Sequence, residues 1–253
     1  MTDLDHVAIA TLDVGPAITT LVGDLGGVLT VGGNGYGFRW VQVRMGDTVD
    51  GMTIELLVAW QPEVNDFLAR FLTRHGPGQH HLTFKVKDLA ATLERVRRVG
   101  LTPVNVNLTD PHWKEAFLVP REAHGTVVQL AQVNGDHPDP AAQYDAAVAT
   151  GGFGEPRWWP DPPPRSADRA VLHRVVLATP ALAEAVDFFA HVLDGEVTTD
   201  ADDHAELVWP GGGRVRLEEH AAMTAGFHRL EGDRSGAPTT ASLSGTPFVI
   251  ASR

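Results

Sequence analysis

A chain of 253 residues that is 43% hydrophobic and 21% charged has the apolar content for a sizeable core, and its length suggests two domains. Its formal net charge of −12 at pH 7 argues against a nonspecific nucleic-acid binder and against docking on an anionic membrane, because both need a positive field. The absence of cysteine excludes disulfides, thiolate metal sites and cysteine nucleophiles, so any metal must be held by imidazole, carboxylate or amide groups.

The opening segment has neither the basic start nor the apolar run of a signal peptide, and no later stretch is apolar for long enough to span a bilayer, so a cytoplasmic location is expected. Residues 5–14 predict a strand running into a helix over 15–25. The glycine-rich stretch 31–37 lacks the strand–loop–helix context and the lysine of a phosphate loop, and is expected to be a flexible loop near a cleft. Strands follow over 38–43 and 52–58. The connecting stretch 62–78 holds a short amphipathic helix over 66–72, with Gly76, Pro77 and Gly78 as breakers.

Residues 80–89 then repeat the opening pattern. A helix over 90–99 is stopped by Gly100, and strands are expected over 102–106, 115–119 and 126–131. Residues 134–167 read as a Pro/Gly-rich linker or extended arm. Beyond it, 172–179 begins a third copy of the strand–helix pattern, 213–218 would close it, and 226–230 opens a truncated fourth copy. The expected fold is α+β: tandem βαβββ modules, paired into a curved eight-stranded sheet that forms a cleft, with a second, degenerate pair. The expected domains are 1–133, with modules at about 1–61 and 78–133, and 168–253.

Alternate strand residues share a face, so His6 leads a face with Ala8 and Ala10, and His81 occupies the same place in the second copy. Glu55 and Gln129 each interrupt a strongly apolar strand, and a buried polar or charged group there requires a partner. A single strand histidine is ordinarily a satisfied core residue. Here two equivalent histidines are each followed by an oxygen donor, and the two intervals differ by one residue. That duplication points to a divalent metal held by His6, Glu55, His81 and Gln129, with Zn, Ni, Co, Mn and Fe(II) all compatible with such donors.

These segments resemble the vicinal oxygen chelate (glyoxalase/bleomycin resistance/dioxygenase) superfamily, closely over roughly 1–133 and weakly over 168–253. They are most similar to its methylmalonyl-CoA epimerase-like members. The resemblance implies that His6, Glu55, His81 and Gln129 hold the metal. It further implies an epimerase, isomerase or lyase acting on a small carbonyl or acyl-thioester substrate through an enolate. An epimerase-like pattern has a carboxylate just before the strand at 38–43, but this chain reads Asn34-Gly35-Tyr36-Gly37 there. Glu115 is an alternative base, as is Glu55 if it leaves the metal in the manner of glyoxalase-like members.

Tyr36, Arg39, Trp40 and Trp113 are candidates for substrate binding, set against their ordinary roles as core aromatics and exposed strand-end cations. Two other readings stay open: an extradiol-type ring-cleaving dioxygenase, and a non-catalytic small-molecule binding or resistance protein using the same cleft. The expected partner is a small-molecule substrate, with homodimerisation open. In the third and fourth copies Arg174 and Arg229 take the histidine positions, so a metal-free companion domain is expected there. Glu218 would survive beside Arg174 or Arg229 as an ion pair.

Overall fold

In the computed structural model, which describes residues 2–134, 140–150, 157–222 and 224–253, the secondary structure falls into two hydrogen-bonded sheets. The first contains β1 (Thr2–Thr11), β2 (Val28–Gly35), β3 (Phe38–Gly46), β4 (Gly51–Ala59), β5 (Gly78–Val86), β6 (Val104–Asn107), β7 (Trp113–Leu118) and β8 (Val127–Val133). Their order is β2-β3-β4-β1-β5-β8-β7-β6, so the two copies of the module meet where β1 lies beside β5. The second contains β9 (Val171–Thr179), β10 (Glu196–Asp200), β11 (His204–Val208), β12 (Arg214–Glu219), β13 (Gly226–Arg234), β14 (Thr239–Leu243) and β15 (Thr246–Ser252), ordered β10-β11-β12-β9-β13-β15-β14. The expected α+β class with tandem modules is what the chain adopts. In the fourth copy β13 leads to β14 with no intervening helix, which accounts for its brevity.

The helices follow the apolar periodicity, with two differences. The stretch expected as one helix over 15–25 is α1 (Val14–Ile18), capped by the Asp13 carboxylate on the Gly15 amide, and it then widens into a π-helical turn over Thr19–Asp24. The third copy repeats this at the same place, α5 (Leu182–Asp187) widening over Phe188–Val192. In the first case the Leu25 amide reaches the Thr20 carbonyl and Gly26 takes a positive φ of 69°, a backbone geometry suited to glycine. The remaining helices are α2 (Phe67–His75), α3 (Leu89–Arg98) and α4 (Pro140–Thr150).

The second difference corrects the expectation of a flexible loop at 31–37. Most of that stretch is β2, paired in register with β3 from Val28↔Arg44 to Gly35↔Phe38. Its glycines are demanded by neighbours. A Cβ on Gly32 would lie 2.4 Å from the Trp159 ring, one on Gly33 3.2 Å from Trp40, and one on Gly35 2.4 Å from Phe38. Glycine here makes room for aromatic rings packed on a strand.

The chain packs as two compact units, and neither is contiguous in sequence. One comprises Met1–His6, His81–His137 and Arg174–Arg229. Within it Phe84, Phe189 and Trp209 form a buried aromatic group, Arg95 pairs with Asp194, and Thr2 donates to the same aspartate. The other comprises Val7–His80, Pro138–His173 and Leu230–Arg253. Within it Tyr144 and Ala147 of α4 pack on Val28, and Trp159 fills the space over Gly32. The stretch expected as a linker therefore carries a helix and a buried indole among its described residues, while 135–139 and 151–156 lie outside them. No helix among the described residues is long and apolar enough to cross a membrane.

The polar face of the second sheet is filled by ion pairs. Glu206 accepts from Arg174 at 2.7 Å and Arg214 at 3.3 Å, while Glu218 is gripped by both terminal nitrogens of Arg229, at 2.7 and 2.9 Å, and by Arg216 at 2.9 Å. Of the two arginines considered for Glu218, the structure selects Arg229. The hydrogen bonds from Arg229 outweigh partial burial and hold the Glu218 carboxyl at about 2, below its ordinary value of 4.5. A depressed carboxylate contributes stability that is complete above the unfolded value and is lost as pH falls through the folded one. Glu218→Gln is therefore expected to lower stability at pH 7, with the difference from wild type closing as pH falls from about 4.5 towards 2. Denaturant melts across that range check it, and a deficit that does not change with pH would contradict it.

Candidate functional site

Three adjacent strands of the first sheet, β4, β1 and β5, bring Glu55, His6 and His81 together, with one ligand atom of each within 4.8 Å of the others. All three are buried, His6 at 2% exposure, His81 at 5% and Glu55 at 8%. The imidazoles meet edge to face with centroids 5.9 Å apart. Gln129, also buried, is brought in by the parallel pairing of β5 with β8, which sets Thr83 opposite Gln129. The four residues expected to act together thus occupy one region of one sheet.

The groups around them fix their orientation. His6 directs Nδ1 to Asp5 Oδ2 at 2.7 Å, which turns Nε2 inwards. Lys85 Nζ sits 2.7 Å from the other oxygen of Asp5. Burial alone would raise the Asp5 carboxyl, but the hydrogen bond with His6 and the charge of Lys85 outweigh it and hold the group well below the usual carboxylate range. The inner His6 Nε2 lies 2.9 Å from the Thr83 hydroxyl, which donates to Gln129 Oε1 at 2.6 Å. Gln129 Nε2 donates to Glu115 Oε2 at 2.7 Å, and Trp113 Nε1 donates to the same oxygen at 3.0 Å. Gln42, the register partner of Glu55 on β3, donates to Glu55 Oε1 at 3.3 Å.

The donor set suits a divalent ion. It offers two imidazoles, one with its outer nitrogen held by an aspartate, a buried carboxylate, and an amide whose oxygen is held by the same Thr83 hydroxyl that lies beside His6 Nε2.

Beside this cluster, Glu115 and Trp113 lie on the Gln129 side, with Phe117 paired opposite Gln129 and half buried near the His81 ring. Trp40 packs with Ala8, Ala10 and Leu57 under Leu68 of α2. The structure does not bring Arg39 to the cluster. Arg39 and Gln42 fall on opposite faces of β3, and the Arg39 guanidinium stacks on Trp60 at 4.2 Å and near Trp158 at 5.8 Å, with Nε on Asn34. Tyr36 stands in the β2–β3 turn, 81% exposed. Sequence reasoning missed Asp5, Gln42, Thr83 and Lys85. Thr83 was detectable as the residue after next on the His81 face, and Asp5 by its place beside His6. Gln42 and Lys85 depend on cross-strand neighbours that one strand does not reveal.

Residues 5–117 match the family model described as the Glyoxalase/Bleomycin resistance protein/Dioxygenase superfamily. No curated protein matches the chain. Among solved structures, a hypothetical protein from Staphylococcus aureus aligns over 100% of both chains at 11% identity with a TM-score of 0.67, a likeness of fold. A hypothetical protein from Bacillus halodurans C-125 aligns over 55% of this chain and 99% of its own, at 24% identity and a TM-score of 0.47. Methylmalonyl-CoA epimerase from Mycobacterium tuberculosis aligns over 53% and 89%, at 26% identity and a TM-score of 0.46. The matched segment runs from β1 into β7 and includes His6, Glu55 and His81, so this part of the chain is similar to the glyoxalase/bleomycin resistance protein/dioxygenase superfamily.

Proposed function

We propose that the chain is a divalent-metal-dependent epimerase, isomerase or lyase acting next to the carbonyl of a small carbonyl compound or acyl thioester, with the metal held by His6, Glu55, His81 and Gln129. The observation that carries this reading is the buried convergence of two imidazoles and a carboxylate within 4.8 Å. When bound, the ion would supply Lewis-acid polarisation of a substrate carbonyl. In this reading residues 1–133 form the metal-binding domain and 168–253 a metal-free companion, whose arginines at the histidine positions stay protonated and engage carboxylates.

The residues of the chain divide the remaining work. Asp5 holds the His6 ring by Nδ1, so that Nε2 is presented inwards. Glu115 is assigned as the base, because Trp113 and Gln129 both donate to its Oε2 and fix the carboxylate beside the ligand cluster. The α-proton of the substrate would pass to this carboxylate and be returned from it. Glu55 is assigned to the metal rather than to proton transfer, because it belongs to the convergent cluster and is steadied by Gln42. Trp113 and Phe117 offer apolar surface to the body of the substrate.

Two measurements test this. Metal-stripped protein titrated with Zn, Ni, Co, Mn and Fe(II) is expected to take up one ion per chain. His81→Ala is expected to weaken uptake at least about 100-fold with the fold retained; equal uptake by the variant would remove the assignment. In D2O, the metal-loaded protein is expected to catalyse α-proton exchange on acyl thioesters or 2-oxo compounds, followed by NMR. Glu115→Gln is expected to lower that rate by about 10²- to 10⁴-fold. Oxygen consumption with catechols in place of exchange would instead indicate the dioxygenase.

A further inference from the structure

Thr83 is fully buried, yet it carries a hydroxyl on the face of β5 that also presents His81. That hydroxyl touches two of the four groups assigned to the metal, lying 2.9 Å from His6 Nε2 and donating to Gln129 Oε1 at 2.6 Å. A primary amide has two ends of nearly equal size and opposite hydrogen-bonding character, and only its oxygen can coordinate a cation. The two ends of Gln129 are held by different partners. Thr83, which donates, takes the oxygen, while Glu115, whose carboxylate accepts, takes the nitrogen at 2.7 Å.

We infer that Thr83 is a positioning residue for the metal site: with Glu115 it clamps the Gln129 amide, so that the oxygen is held at the hydroxyl beside His6 Nε2 and the amide cannot turn its nitrogen towards the ion. The inference rests on the metal-binding reading above and adds to it a residue that is not itself a ligand. It follows from the register of the sheet. Parallel pairing places Thr83 and Gln129 as direct partners, and antiparallel pairing of β7 with β8 sets Glu115 opposite Ala131, one residue along the same face from Gln129. The clamp therefore spans three neighbouring strands, β5, β8 and β7, and needs no loop to form. Orientation of a ligand by a supporting hydrogen bond typically affects affinity by about 10- to 100-fold.

The test is metal titration of stripped protein, followed by calorimetry, for wild type, Thr83→Val and Thr83→Ser, with thermal melts run in parallel. Thr83→Val keeps the shape and removes the hydroxyl, and is expected to weaken binding by about 10-fold or more. Thr83→Ser keeps the hydroxyl and is expected to bind close to wild type, well short of the roughly 10-fold loss expected when a supporting hydrogen bond is removed. If Thr83→Val does not fold, Thr83→Ala, which adds no bulk, replaces it with the same expectation. Wild-type binding matched by the hydroxyl-free variant overturns the role of Thr83 and leaves the metal site standing. Equal weakening in Thr83→Ser and Thr83→Val also overturns it, since packing rather than the hydroxyl would then be responsible. Absence of metal binding by the wild type overturns both readings.

Discussion

A carboxylate placed beside two imidazoles in a nearly dry interior must be compensated, because burial of an ionised group costs far more than packing can return. His6, Glu55 and His81 create that demand at the centre of the first sheet, where β4, β1 and β5 run side by side. The surrounding hydrogen bonds orient the donors: Asp5 takes the outer nitrogen of His6, Gln42 steadies Glu55, and Thr83 and Glu115 hold the two ends of Gln129. In the proposed reading, an ion of two positive charges would satisfy such a cluster without any further protein charge being buried.

The second sheet meets the same demand by another route. Arg174 and Arg229 stand where the first sheet has its histidines, and they engage Glu206 and Glu218 respectively. There the compensation is covalently attached: a guanidinium reaches Glu218 through two nitrogens, and the acid is driven to about 2 as a result. Exposure follows the same logic. The first sheet keeps its polar cluster at a few percent exposure, whereas the Arg229 and Glu218 side chains are 21% and 16% exposed, the more hydrated setting in which an ion pair is tolerated. Exchange of imidazole for guanidinium at two positions thus separates a candidate ion-binding cluster from one closed by internal ion pairs.

What the sequence disclosed is what depends on periodicity along one strand or helix. The opening strands of both copies, α2 and α3, and the apolar strands interrupted by Glu55 and Gln129 all stand where the alternation places them. What it concealed depends on neighbours across the sheet. The glycines at 32, 33 and 35 look like loop residues until Trp159, Trp40 and Phe38 are seen packed on them. Arg39 looks like a substrate ligand until β3 is phased against Glu55 and its side chain proves to stack on Trp60 from the other face. The widened turn after α1 has no apolar signature of its own, because a π-helical turn changes hydrogen-bond partners without changing which residues are buried.

The same division explains why the proposed ligand set is more legible in the sequence than a substrate. The four proposed ligands sit on the interior strands β4, β1, β5 and β8, whose spacing is fixed by backbone hydrogen bonds and whose other faces carry core residues such as Ile54, Val7, Leu82 and Leu130. Their convergence is a property of sheet geometry, so residue type and register are enough to imply it. In the proposed reading the groups offered to a substrate are Trp113, Glu115 and Phe117, on β7 near the edge of the sheet, where the outer partner strand is the short β6 and the register slips between Val104 and Asn107. On one side the regular β7–β8 ladder holds them, while on the outer side the interrupted β6 sets no repeating register. In the proposed reading the ligand set is therefore written into the interior of the sheet, whereas the surroundings of a substrate extend to an edge whose geometry periodicity does not determine.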